Sequence, residues 1–193
     1  MLKKVVFLDR DGVINFDSPD YIKSREEFEF IPGSVEAVRE LTTNGFDCIV
    51  ITNQSALARN LISAAELDRI HTMMKKAIAS AGGRITDIFW CPHLPDDGCD
   101  CRKPEPGLIY QARRKYDINL AAAVMVGDSA RDIECARRAG VGRALLVQSG
   151  KDGDVQGQLK ARQMVPDHVA EDLRAAVKWI LRRQDRKQNG SLF

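Results

Sequence analysis

Apolar residues recur along the chain in two rhythms that alternate. Short continuous runs stand at 5–9 (VVFLD), 47–52 (DCIVIT), 85–91 (ITDIFWC), 122–127 (AAVMVG) and 143–147 (RALLV). Their length and content suit strands buried on both faces of a parallel sheet. Between them, apolar positions fall three and four apart. SVEAVRELTTNG (34–45) predicts a helix capped by Ser34, with Val35, Val38 and Leu41 on one face and a stop at Gly45. Over 63–83, Ser63 and Glu66 form a capping box ahead of Leu67, Ile70, Met74, Ala77, Ile78 and Ala81. PGLIYQARRKY (106–116) opens with proline at a first helical position, and SARDIECARRAG (129–140) and HVAEDLRAAVKWILRR (168–183) predict two more helices. Residues 151–164 are the least periodic and read as loop, and the polar tail over 184–193 is expected to fray. Strand then helix, repeated, predicts an α/β fold: a three-layer, Rossmann-like open parallel sheet with helices on both faces. No internal repeat or low-complexity linker divides the chain, so one domain over 1–193 is expected.

Composition narrows the function classes. Lys and Arg number 29 against 27 Asp and Glu, a formal charge of +2, which gives no electrostatic basis for a dedicated nucleic-acid binder. The N-terminal apolar run is four residues long and aspartates follow it at once, too short for a signal-peptide core. No stretch approaches the roughly 18 apolar residues that span a membrane. A soluble cytoplasmic protein with no membrane partner is expected, in a compartment where thiols stay reduced. The five cysteines then read as a cluster, Cys91, Cys99 and Cys101, plus the isolated Cys48 and Cys135, rather than as a disulfide framework. His71 and His168 read as structural or surface residues.

In open α/β sheets the ligand crevice lies outside the carboxyl ends of the strands. The polar residues that follow each predicted strand are therefore the informative ones: Asp9 and Asp11, then Thr52 and Asn53, then the cysteine loop leading to Arg102 and Lys103, then Asp128 with Asp132 four residues on. Singly, each has a bland reading. Asp-x-Asp-Gly is often only a turn, Asp132 a helix cap to Ser129, Thr52 a strand end and Lys103 a solvated charge. Together at four strand ends they suit phosphoryl transfer. Carboxylates can hold Mg²⁺ and offset the charge of a phosphate monoester. One carboxylate can attack phosphorus and a second, two residues on, can move the proton. A lysine and a hydroxyl can stabilise the transferring oxygens.

Residues 91–101 supply Cys91, His93, Cys99 and Cys101 within eleven positions. Three thiols and an imidazole match a closed tetrahedral Cys₃His zinc site, which would be structural because it leaves no position for water. A zinc-bearing nucleic-acid module is the non-enzymatic alternative, and the scarcity of nearby aromatics speaks against it. The redox reading fails in a reducing compartment.

DRDGVIN, the threonine of VITNQS, the lysine of CRKPEPG and GDSARD resemble, in order and spacing, the four motifs of the haloacid dehalogenase-like phosphatases over about residues 3 to 180. TNQSALAR, the Cys-x-His…Cys-x-Cys loop and CRKPEPG narrow the resemblance to their heptose-bisphosphate phosphatase branch. The histidinol-phosphate phosphatases, which carry a similar zinc loop, are the enzymatic rival, favoured by the five residues between His93 and Cys99. The resemblance implies Asp9 as nucleophile and Mg²⁺ ligand. It implies Asp11 as general acid/base, binding the metal through its backbone carbonyl, and Asp128 as a further Mg²⁺ ligand. Thr52 and Lys103 would hold the phosphoryl group. Asp132 would stand behind the metal or partner Lys103. Arg102, Asn53, Gln54, Ser55 and the loop Asp17, Ser18, Pro19, Asp20 would meet the substrate, a small sugar phosphate. No large cap domain is expected, and a monomer is. Where the branch often has glycines, this chain has Ala56 and Asn60.

Overall fold

Apolar strands that must bury both faces need a layer of helices on each side, and that is what forms. In a computed structural model describing residues 4–150 and 153–189, six strands make one sheet: β1 (Lys4–Leu8), β2 (Phe46–Asn53), β3 (Ile85–Cys91), β4 (Val124–Gly127), β5 (Arg143–Val147) and β6 (His168–Ala170). Every pairing is parallel. Six α-helices connect or follow them: α1 (Ser34–Thr43), α2 (Ala64–Ser80), α3 (Gly107–Tyr116), α4 (Ala130–Ala139), α5 (Val155–Ala161) and α6 (Leu173–Asn189), with a 3₁₀ turn at Leu120–Ala122.

Side chains alternate across the pleat, so each strand feeds two cores. Val6 and Leu8 of β1 pack with Val38, Ile70, Met74 and Val177 from α1, α2 and α6. Val5 and Phe7 pack with Ile109, Ile133 and Leu159 from α3, α4 and α5. The expected three-layer α/β sheet is therefore present, and the short links 9–33 and 54–63 insert no cap domain. Spatial order β3-β2-β1-β4-β5-β6 puts the topological switch between β1 and β4. There the crossovers leave in opposite directions and a crevice opens at the carboxyl ends.

Several expectations change. Ser34 does not cap α1. Gly33, at φ 85°, takes that position, and the buried Ser34 hydroxyl donates to the Ile14 carbonyl at 2.7 Å. Pro106 stands at the cap of α3 rather than inside it. Within the stretch read as loop, α5 starts where the Asp154 carboxylate accepts from the Gly157 N–H at 2.7 Å. Its seven residues bury Leu159 alone, too little to leave a periodic pattern. The helix expected from 168 begins with β6 instead, which pairs with β5 from Leu145↔His168 to Val147↔Ala170. The α6 helix continues through much of the expected frayed tail, to Asn189, and 190–193 lie outside the described residues.

Immediately after β1, the DRDG segment turns back on itself: Gly12 N–H donates to the Asn15 carbonyl at 2.8 Å. Gly12 has φ +79°, and a Cβ there would come within 2.2 Å of an Asp128 carboxylate oxygen. Both backbone conformation and space therefore require glycine. Gly12→Ala is expected to lower the unfolding free energy by about 1–3 kcal/mol and to depress activity with it. Denaturant titration reads the first effect, and wild-type stability would contradict this account of the turn.

Candidate active site

The crevice floor is built from strand ends. Asp9 follows β1 directly, its N–H donating to the Val126 carbonyl of β4 at 3.0 Å. One carboxylate oxygen accepts the Arg10 N–H at 2.7 Å and the other meets the Lys103 ammonium at 2.7 Å. That ammonium is only 3% exposed and also touches Asp132 at 2.6 Å. Asp132 is wholly buried, and its second oxygen accepts from the Ser129 N–H at 3.0 Å and hydroxyl at 2.7 Å. It therefore caps α4 and partners Lys103 at once, so two of the sequence readings hold together.

Asn53 secures the Lys103 backbone from both sides. Its Oδ1 accepts the Lys103 N–H at 3.0 Å and its Nδ2 donates to the Lys103 carbonyl at 3.2 Å. Burial opposes the Lys103 charge, but Asp132 and Asp9 more than offset it, so the ammonium is held well above its usual range. Burial pushes Asp9 up to about 7, with Lys103 opposing and Asp132 and Asp11 adding to the rise.

Asp11 has a different environment. One of its oxygens accepts from Arg10 Nε at 3.1 Å, Arg10 Nη2 at 2.7 Å and Asn15 Nδ2 at 2.9 Å. The other accepts from Gln54 Nε2 at 2.8 Å. Burial raises its pKa, and the Arg10 charge together with these donors brings it below the usual carboxylate range. Gln54 Nε2 also donates to the Thr52 hydroxyl at 2.9 Å, linking the second strand end to the first.

A cleft of about 260 Å³ lies above this floor. Of the expected residues, Asp9, Asp11, Asp17, Ser18, Pro19, Thr52, Asn53, Gln54, Ser55, Arg102, Lys103 and Asp128 line it. Asp132 lies beneath. Asp20 is not on the cleft: it is exposed, its N–H donates to the Ser18 hydroxyl and its carbonyl accepts from Lys23. The lining also includes Arg10, Tyr21, Arg59, Ser129 and Arg131, which sequence reasoning missed. Arg59 stacks 5.8 Å from the Tyr21 ring. Arg10 and Arg131 sit inside the quoted motifs DRDG and GDSARD, so a signal was there. Nothing in sequence separated them from solvated charges. Nearby Asn60, in a position where the branch often has glycine, keeps the left-handed backbone at φ 55° that asparagine tolerates best.

Carboxylate oxygens of Asp9, Asp128 and Asp132 all lie within 4.8 Å of one another, the all-oxygen donor set that suits Mg²⁺. Asp128 is closely cradled: a Cβ on Gly150 would come within 1.8 Å of its oxygen, as one on Gly12 would within 2.2 Å. The Asp11 carboxylate is turned to Arg10, Asn15 and Gln54 and takes no part in this group.

Cys91, His93, Cys99 and Cys101 converge beside the cleft. Cys91 Sγ lies 3.4 Å from His93 Nδ1, 3.7 Å from Cys99 Sγ and 3.2 Å from Cys101 Sγ. Cys101 Sγ is 3.2 Å from His93 Nδ1 and 3.6 Å from Cys99 Sγ. A tetrahedron with Zn–S of about 2.3 Å and Zn–N of about 2.1 Å has edges of about 3.6–3.8 Å, so the set fits zinc with slight expansion. The loop is coupled to the cleft, because Arg102 Nη1 donates to the His93 carbonyl at 3.1 Å.

The comparisons with known proteins agree with this geometry. A family model described as HAD-hydrolase-like matches residues 100–176. The D-glycero-beta-D-manno-heptose-1,7-bisphosphate 7-phosphatase of Bordetella bronchiseptica is 43% identical over 180 residues, spanning 92% of this chain and 98% of its own. The enzyme of that name from Escherichia coli K12 is 40% identical over 153 residues, 76% of this chain and 80% of its own. A B. bronchiseptica D,D-heptose 1,7-bisphosphate phosphatase, crystallised with magnesium and phosphate, superposes with a TM-score of 0.85 at 43% identity, covering 93% of this chain and 99% of that one. A Burkholderia thailandensis enzyme of the same description gives 0.68 at 32% identity, over 93% and 99% of the two chains. With its floor of strand-end carboxylates around a buried lysine, this chain belongs to the D-glycero-beta-D-manno-heptose-1,7-bisphosphate 7-phosphatase family, phosphoric monoester hydrolases of the haloacid dehalogenase-like class.

Proposed function

We propose that the protein removes the 7-phosphate of D-glycero-D-manno-heptose 1,7-bisphosphate through an aspartyl-phosphate, as a cytoplasmic, monomeric step toward ADP- or GDP-heptose and lipopolysaccharide core precursors. The observation that carries this reading is the contact of Asp9 with the buried Lys103 at 2.7 Å on the cleft floor. It provides a nucleophile beside a cation that can pair with the phosphoryl oxygens.

In this mechanism a carboxylate oxygen of Asp9 attacks phosphorus. The bond from phosphorus to the sugar oxygen breaks, its electron pair stays on that oxygen, and Asp11 delivers the proton. Water then attacks the phosphorylated Asp9, Asp11 takes a proton from that water, and the carboxylate of Asp9 is returned with release of phosphate. Thr52 and Lys103 hold the transferring oxygens. Asp9, Asp128 and the Asp11 carbonyl would hold Mg²⁺, which when bound offsets charge on the phosphoryl group. Asp132 keeps Lys103 in place, and Cys91, His93, Cys99 and Cys101 would hold zinc, which would fix the loop that presents Arg102.

The second phosphate would be met at the cleft mouth. Arg102 and Arg131 both line it, and burial and the nearby Arg131 charge lower the Arg102 pKa. Two close cations favour a dianion, which favours a bisphosphate over histidinol phosphate with its cationic amine. The short zinc loop is the feature that supports histidinol phosphate. Nucleic acid remains the weaker alternative, given a net charge of +2.

Phosphate release from heptose 1,7-bisphosphate and from histidinol phosphate, each with and without Mg²⁺, tests the reading. Mg²⁺-dependent turnover favouring the bisphosphate by at least about tenfold is expected, whereas preference for histidinol phosphate would overturn the substrate assignment. Asp9→Asn should abolish release of phosphate while leaving thermal unfolding near wild type. Residual turnover within about tenfold of wild type would rule out Asp9 as nucleophile. Purified protein should contain one zinc per chain by elemental analysis, and its removal by a chelator should lower both activity and protection of residues 91–103 from hydrogen exchange. Full activity without zinc would refute the positioning role of the loop.

A further inference from the structure

Arg10 is the largest fully buried side chain among the described residues, 1% exposed, and the phosphatase chemistry above gives it no task. Burying a guanidinium is costly unless its donors are met. Two of them, Nε and Nη2, land on the same Asp11 oxygen, Oδ1, at 3.1 and 2.7 Å. This differs from the side-by-side pairing that would occupy both carboxylate oxygens. The third contact explains why. Arg10 Nη1 points the other way, to His71 Nε2 on α2 at 3.3 Å.

Arginine has no acceptor, so Nε2 of His71 is the accepting atom and the proton sits on Nδ1. His71 is buried, and burial with the Arg10 and Lys75 charges, against the opposing Asp11 carboxylate, keeps it neutral with a pKa of about 3. A neutral imidazole on one side and Asp11 Oδ1 on the other fix the rotation of the guanidinium. Asn15 Nδ2 adds a further donor to Oδ1 at 2.9 Å. Oδ2 of Asp11 is left with Gln54, whose Nε2 also reaches Thr52. The two carboxylate oxygens are thus made unequal, and the one beside Thr52 is the lighter held.

We propose that His71 is a positioning residue for proton transfer, which by orienting Arg10 anchors Asp11 through Oδ1 and leaves Oδ2 as the oxygen that carries the proton. This rests on the reading of Asp11 as general acid/base. The step at issue is the first one: the Oδ2–H bond breaks as its proton passes to the sugar oxygen leaving phosphorus, while Asp9 forms the new bond to phosphorus.

Leaving-group dependence separates this role from mere packing. An alkyl leaving group needs the proton, while p-nitrophenolate does not. The value of kcat/KM, which reports steps through loss of the leaving group, is measured on the best alkyl phosphate substrate and on p-nitrophenyl phosphate. His71→Leu should lower the alkyl value about 10- to 100-fold and the aryl value far less. His71→Gln, which keeps an acceptor, should recover most of the loss. Equal falls on both substrates, or none, would overturn the proposal. Asp11→Asn is the control. If it shows the selective loss and the folded His71 variants do not, the proposal fails while the acid/base reading stands. If Asp11→Asn lowers both substrates equally, the acid/base reading fails and takes the proposal with it. Should His71→Leu not fold, as judged by thermal melting, Arg10→Lys replaces it. A lysine cannot reach Asp11 and His71 at once, and it is expected to show the same selective loss.

Discussion

Lys103 sits with its ammonium 2.7 Å from Asp9 and 2.6 Å from Asp132, almost out of solvent, and much of the site follows from satisfying that charge. A buried ammonium is tolerated only where carboxylates surround it closely. Holding them there engages four separate elements. β1 delivers Asp9, the N-terminus of α4 delivers Asp132 through its capping box, β2 delivers Asn53 to both sides of the Lys103 peptide, and the cysteine loop delivers the lysine itself. The cap of α4 therefore also serves the buried lysine. The Ser129 hydroxyl and N–H hold one oxygen of Asp132 and thereby aim the other at Lys103.

The same anionic floor suits a bound cation. Asp9, Asp11 and Asp128 crowd one crevice with Asp132 beneath it, and Lys103 and Arg10 are the cations paired to them. Asp11 has Arg10 and Asp132 has Lys103, and both lie below the usual carboxylate range. Asp9 shares Lys103 and remains raised. A divalent cation held by Asp9 and Asp128 would shift that balance toward an ionised Asp9. The glycines at 12 and 150, leaving no room for a Cβ beside Asp128, fix where that carboxylate stands.

Much of this was legible because it depends on residues immediately after apolar strands, and apolar strands are easy to see. The strand ends carrying Asp9, Thr52 and Asp128 needed only the rule that crevices open at carboxyl ends, and Lys103 lies at the far end of the cysteine loop that follows β3. The parts that were not legible depend on distance in sequence or on rotamer. His71 reads as one more position on an amphipathic helix, and only folding brings it 3.3 Å from Arg10. Ser34 looks like a cap because serine favours caps, yet its hydroxyl is claimed by the Ile14 carbonyl across a loop. Short α5 and the three-residue β6 bury too few side chains to imprint a period. Val169, four residues before Leu173, makes the end strand resemble a helical turn.

The cleft lining carries charge of both signs, and this bears on substrate choice. The floor is a set of carboxylates compensated by Lys103 and suited to a metal-neutralised phosphoryl group. The exposed Arg59 and Arg131 and the half-buried Arg102 also line the cleft. A substrate with one phosphate and a cationic far end would be repelled at the mouth, while one with phosphates at both ends would be attracted twice. Arg102 cannot retreat freely from its neighbour, because the cysteine loop holds it through the His93 carbonyl at 3.1 Å. In the proposed reaction the Cys₃His set would thereby take part in selecting the far end of the substrate. It would fix one arginine where a second phosphate would arrive and, two residues beyond Cys101, set the lysine that would hold the first.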